Sequence, residues 1–99
     1  MADVAIKSEW TRLKRAVVVS YEDLRPGEYM QLQPKFAHSK TLWCVVRCLE
    51  CGNLSSIGRS LYDVDWRGAV SPQSRCPTDS CRSHWLLLLN WHPDTKGDA

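Results

Sequence analysis

No apolar run in this chain is long enough to cross a membrane. The longest, Trp85 to Leu89, is five residues, against the ~20 that a spanning helix needs. The opening residues, Met-Ala-Asp-Val-Ala-Ile-Lys, lack the apolar stretch and small-residue cleavage site of a secretory leader. Charge of one sign is also scarce. Thirteen Lys and Arg stand against eleven Asp and Glu, a net charge of +2. That is far from the strongly basic balance of a general nucleic-acid binder. Low-complexity tracts are missing, and with 43% hydrophobic and 24% charged residues the composition is that of a globular protein. The compartment expected from these absences is the cytoplasm, where thiols stay reduced unless they bind metal or do catalysis.

Against that background, five cysteines in 99 residues stand out. Four of them form two close pairs, Cys48-Leu-Glu-Cys51 and Cys76-Pro-Thr-Asp-Ser-Cys81, with 24 residues between. Two pairs at such a distance are how a short chain builds a four-thiolate zinc site. Gly52 follows the first pair, where a tight turn often needs positive φ. Pro77 stiffens the second. The predicted ligands are Cys48, Cys51, Cys76 and Cys81, holding one structural zinc ion with no position left for substrate. Tetrahedral sulfur also accepts iron. Four thiolates and one zinc take the net charge of +2 to zero. In that compartment disulfides are the lesser alternative. Cys44 makes a C-x3-C-x2-C spacing with the first pair, as in iron–sulfur radical enzymes, but 99 residues cannot supply the barrel-sized domain such chemistry uses. It reads instead as a small apolar residue on a strand face shared with Val46 and Cys48.

Length allows one domain, residues 1–93, followed by a polar flexible tail at 94–99. Its predicted class is mostly β: a zinc ribbon with short antiparallel strands and one short N-terminal helix. The helix is predicted over 4–14, because Ile6, Trp10 and Leu13 recur at i, i+4 and i+7. Strands are predicted at 15–21, where three valines run together, at 28–33, at 41–48, and over the apolar stretch 84–91. Arg25-Pro26-Gly27 reads as a turn. The stretches 53–62 and 64–69 fit short strands separated by turns at Asp63, Asp65 and Gly68. Of the five tryptophans, Trp43, Trp85 and Trp91 are expected in the core, with Trp10 and Trp66 less constrained.

Chemistry other than metal binding rests on His84 and the serines around it. A Ser–His pair activates a hydroxyl when the two are within hydrogen-bond reach. Candidates are Ser71, Ser74 and Ser83. Ser83 is the poorest, since adjacent strand residues point to opposite faces. Asp63, Asp65 or Asp79 would orient the imidazole. Zinc turns also use serines to cap backbone groups, which is the plainer role.

The segment from Leu24-Arg25-Pro26-Gly27-Glu28-Tyr29 to Trp91 resembles a widespread family of small bacterial domains. The likeness rests on that turn, on the knuckle ending Cys51-Gly52, on Ser71-Pro72-Gln73 and on Cys81-Arg82-Ser83-His84-Trp85. It implies a zinc-bearing fold related to serine peptidases that act beside bacterial ubiquitin-like conjugation pathways. Where that family has Ser-Pro-Ser, this chain has Gln73 in place of the second serine. A glutamine amide is not a nucleophile that a histidine can activate, so the resemblance implies a kept scaffold and altered chemistry.

Three functions remain open on the sequence. The first is a structural zinc module that binds another protein. The second is a serine peptidase or other hydrolase acting on a ubiquitin-like or peptide substrate. The third is a nucleic-acid-binding ribbon using Lys7, Arg12, Lys14, Arg15, Arg47, Arg59, Arg67, Arg75 and Arg82. Near-neutral charge favours the first. Small size and a short basic start would suit a bacterial or phage accessory protein.

Overall fold

The computed structural model describes residues 10–32, 40–75 and 83–92. The first half of the predicted helix, the loop before Lys40, Cys76, Cys81 and the tail at 94–99 lie outside them.

The fold is mostly β, as composition and patterning predict. Its centre is a five-stranded mixed sheet built from β1 (Thr11–Arg15), β2 (Glu28–Gln31), β3 (Leu42–Arg47), β4 (Leu54–Gly58) and β9 (Leu86–Leu88). The spatial order is β4-β3-β2-β1-β9. Two ribbons complete it: β5 (Asp63–Val64) with β6 (Val70–Ser71), and β7 (Ser74–Arg75) with β8 (Ser83–His84).

Alternation along the central strands decides what is buried. In β3, Cys44 and Val46 face inward and meet Ile57 of β4 and Tyr29 of β2, through the registers Cys44↔Ile57 and Tyr29↔Val46. Val45 takes the opposite face with its partners Met30 and Ser56. Tyr29 is fully buried, yet its hydroxyl is satisfied by donating to the Leu89 carbonyl at 2.7 Å. Trp43 donates from Nε1 to the Tyr62 carbonyl at 2.9 Å and meets Trp91 edge-on. Val64 and Val70 of the β5–β6 ribbon and Leu86 and Leu88 of β9 belong to the same core.

The structure corrects the sequence reading at three places. Residues 11–14, expected as helix, are strand. β1 runs parallel to both neighbours, with Lys14↔Glu28 on one side and Leu13↔Leu88 on the other. The sheet is therefore not purely antiparallel as expected. Trp10 and Leu13 do not share a face either: Leu13 enters the main core, while Trp10 joins a smaller cluster with Ala69 and Leu87 and stacks on Trp85 at 5.1 Å. Second, the valine run at 17–19 is not a strand. It belongs to the crossover from β1 to β2, where Val17 and Val19 are 89% and 98% exposed. A parallel β1–β2 pair needs such a crossover, because the chain must return to the same end of the sheet. The return is pinned by a short 3-10 helix, Tyr21–Asp23, capped by the Ser20 hydroxyl. The Arg25-Pro26-Gly27 turn follows, with Gly27 at φ +86°. Third, the single strand expected over 84–91 divides into β8 and β9 on either side of Trp85.

Candidate metal centre and adjoining cleft

The first cysteine pair sits where β3 ends. Cys48 donates its N–H to the Asn53 carbonyl at 3.0 Å, and Gly52 donates back to the Cys48 carbonyl at 2.9 Å. Gly52 has φ +74°, the left-handed conformation read from its place after the pair. Arg47 fastens the turn from outside, with Nε on the Leu24 carbonyl at 2.6 Å and Nη1 on the Gly52 carbonyl at 2.5 Å. Cys48 is buried and Cys51 half-buried. The donor set suits zinc: two soft sulfurs on one tight, hydrogen-bonded turn.

The second pair, Cys76 and Cys81, lies outside the described residues, but the chain on both sides of it does not. β7 and β8 pair antiparallel, Ser74 with His84 and Arg75 with Ser83. Arg75 and Ser83, the described residues that flank positions 76 and 82, are thus neighbours across one ladder. That ladder stands over the first turn, because Cys48, Glu50, Ser74 and His84 line one cleft together with Leu49 and Ser55. The cleft holds about 60 Å³, room for a few waters or one small side chain. Among the described residues no three His, Cys, Asp or Glu side chains cluster to hold a metal ion, and two of the four predicted ligands are not among those residues.

The four catalytic candidates separate. Ser74 and His84 are directly opposite across the β7–β8 ladder, so both side chains lie on one face, with Cβ atoms roughly 5 Å apart for such a pair. Ser74 is 5% exposed. His84 Nε2 is 3.6 Å from Glu50 Oε1. Ser71 is placed elsewhere, on β6 opposite Asp63, and does not line the cleft. Ser83 takes its place opposite Arg75. Sequence reasoning looked to Asp63, Asp65 or Asp79 for a carboxylate beside the imidazole and missed Glu50. Its position inside the first Cys-x-x-Cys was the available signal, since whatever packs on that turn meets its middle residues. Asp65 is engaged elsewhere, ion-paired with Arg67 at 2.8 Å.

Cys44 behaves as the sequence suggests. It is fully buried in the main core between Gln31 and Ile57. Burial pushes its thiol pKa well up, in keeping with a small apolar residue packed in the core. Several arginines named for nucleic acid are also engaged within the fold. Arg47 fastens the knuckle, Arg59 lies over the Trp43 ring at 3.9 Å, and Arg67 holds Asp65.

Compared with protein-family models, with curated proteins and with solved structures, the chain has no match.

Proposed function

We propose that this chain is a protein-interaction module whose fold is fastened by one structural zinc ion on Cys48, Cys51, Cys76 and Cys81. The support is the position of the β7–β8 ladder: it brackets the second pair and lines one cleft with Cys48 of the first. Four thiolates complete the tetrahedron, so the metal holds two turns together and has no open position for substrate. A zinc module of this kind offers rigid turns and a sheet edge to another protein.

Elemental analysis and native mass spectrometry of the purified chain test the metal. One zinc per chain is expected, lost in Cys48→Ser and equally in Cys76→Ser and Cys81→Ser. A chain that binds no zinc, or a Cys76→Ser variant that keeps all of it, overturns the proposal.

A second reading follows the resemblance to serine peptidases, and one observation favours it: Ser74, His84 and Glu50 share the cleft. In that reading His84 takes the Ser74 proton and Glu50 steadies the imidazole. Burial of Ser74 and the small cleft weigh against it, since a nucleophile has to reach a peptide carbonyl. A serine-reactive phosphonate gives the decision: an adduct lost in both Ser74→Ala and His84→Ala makes the protein a hydrolase.

A further inference from the structure

We infer that β4 joins two copies of this chain edge to edge, antiparallel, about a two-fold axis at Ser56. The inference rests on the protein-contact half of the proposed function and not on its metal half.

The two ends of the five-stranded sheet differ. The far side of β9 is covered: Ala69 bridges to Leu87, and Leu88 donates its N–H to the Gly68 carbonyl at 2.8 Å. Among the described residues, β4 pairs with β3 alone. In an antiparallel ladder, alternate residues exchange bonds with the neighbour and those between point away. The Cys48–Asn53 bond sets the phase, so Ser55 and Ile57 bond to Val46 and Cys44. Leu54, Ser56 and Gly58 therefore turn their N–H and C=O groups outward. The Gly58 carbonyl accepts from Tyr62 at 3.0 Å. Among the described residues, the outward groups of Leu54 and Ser56 meet no partner.

The irregularity in the β3–β4 ladder lies at its Leu42–Cys44 end, and the Leu54–Ser56 stretch carries no edge protection of its own. Soluble proteins protect open edges with lysine, proline, a bulge or an inward charge. Leu54-Ser55-Ser56-Ile57-Gly58 has no charged residue and no proline, and Ser56 at its centre is small and exposed.

Charge selects a second copy and sets its direction. Beside β4, on the outer face of the sheet, runs a groove of about 540 Å³ lined by Tyr21, Met30, Val45, Leu54 and Ser56 among others. At its Leu54 end Tyr21 leads into exposed Glu22 and Asp23, held there because Arg47, the partner of Leu54, bonds the Leu24 carbonyl. At its other end, where Leu42 pairs with Gly58, stands exposed Lys40. A two-fold through Ser56 brings the Glu22 and Asp23 side of one copy toward Lys40 of the other. Parallel pairing would set acid beside acid. In this register Ser56 exchanges two backbone bonds with the partner's Ser56. The Gly58 N–H donates to the partner's Leu54 carbonyl, and the same bond is repeated by symmetry. The product is one continuous ten-stranded sheet.

Sedimentation of the full zinc-loaded chain over a wide concentration range tests this, with zinc content and circular dichroism read on every sample. Wild type is expected to dimerise. Ser56→Pro removes the central outward N–H at an edge position that tolerates proline, and Ser56→Lys sets a charge on the axis. Each should weaken the dimer by roughly tenfold or more with the fold intact. Lys40→Glu should weaken it too, and combining it with Glu22→Lys and Asp23→Lys should restore it. A wild type that stays monomeric at every soluble concentration overturns the dimer while leaving zinc binding and foreign-protein binding to stand or fall on their own tests. A dimer that survives both Ser56 variants uses another surface, and overturns it as well.

Discussion

The Asp65 carboxylate accepts the N–H groups of Arg67 and Ala69 through Oδ1, at 2.9 and 3.0 Å, and the Arg67 guanidinium through Oδ2 at 2.8 Å. Burial pushes its pKa up, but the hydrogen bonds from the Arg67 side chain and from the Ala69 and Arg67 N–H groups outweigh it, and the pKa lies below the usual carboxylate value. A folded-state pKa below the unfolded one contributes stability that is present above the unfolded pKa and lost as pH falls through the folded one. Asp65→Asn should therefore lower stability by about 1 kcal/mol at neutral pH, and the gap from wild type should close below about pH 4. Urea unfolding at neutral and acid pH reads this directly. The sequence marked Asp65 as a turn residue and as an imidazole partner; only the first role is kept. An Asp two residues before an Arg and three before a Gly carries a turn signal of its own, whereas its distance from His84 is a tertiary fact.

Among the elements, β1 separates most clearly what local pattern can and cannot say. Trp10 and Leu13 are three residues apart, which is one face of a helix and two faces of a strand. Both residues are buried, so their hydrophobicity fits either reading. The choice is made by β2 and β9, the second of which lies more than 70 residues along the chain. Where the signal was local, as in the Pro-Gly turn, the alternation of β3 and the knuckle glycine, the elements fall as expected. The loop from β5 to β6 depends on Gly68. It sits at φ +92° and passes so close to β9 that a Cβ there would collide with the Leu88 carbonyl oxygen and lie 3.0 Å from the Trp91 Cβ. Both conformation and space require glycine. Gly68→Ala should cost on the order of 2–3 kcal/mol, seen as a lowered denaturant midpoint with an unchanged slope.

At the scale of the molecule, the described residues form nine strands of two to six residues around one main core and one small satellite. A domain of this size buries a modest apolar surface, and the proposed structural zinc would add what the core does not. The ribbon β7–β8 has two residue pairs of ladder to hold it. Zinc on the two knuckles would tie it to β3 across the cleft. Removing zinc with a strong chelator should therefore lower the thermal midpoint by roughly 10 °C or more and broaden the transition. A melting curve unchanged by complete chelation would show that the hydrophobic core holds the ribbon by itself.

The amino-acid sequence alone determined the mostly-β class, the turn glycines, the strand alternation that buries Cys44 and Val46, and the pairing of four cysteines as a zinc proposal. Each is a short-range property: a dihedral, a period of two, or a spacing. The tertiary structure alone decided that β1 is a parallel strand, that Ser74 rather than Ser71 faces His84, that Glu50 stands beside the imidazole, and that β4 ends the sheet among the described residues. These depend on which strands meet, and strand pairing is set by burial of the whole sheet rather than by any window of residues.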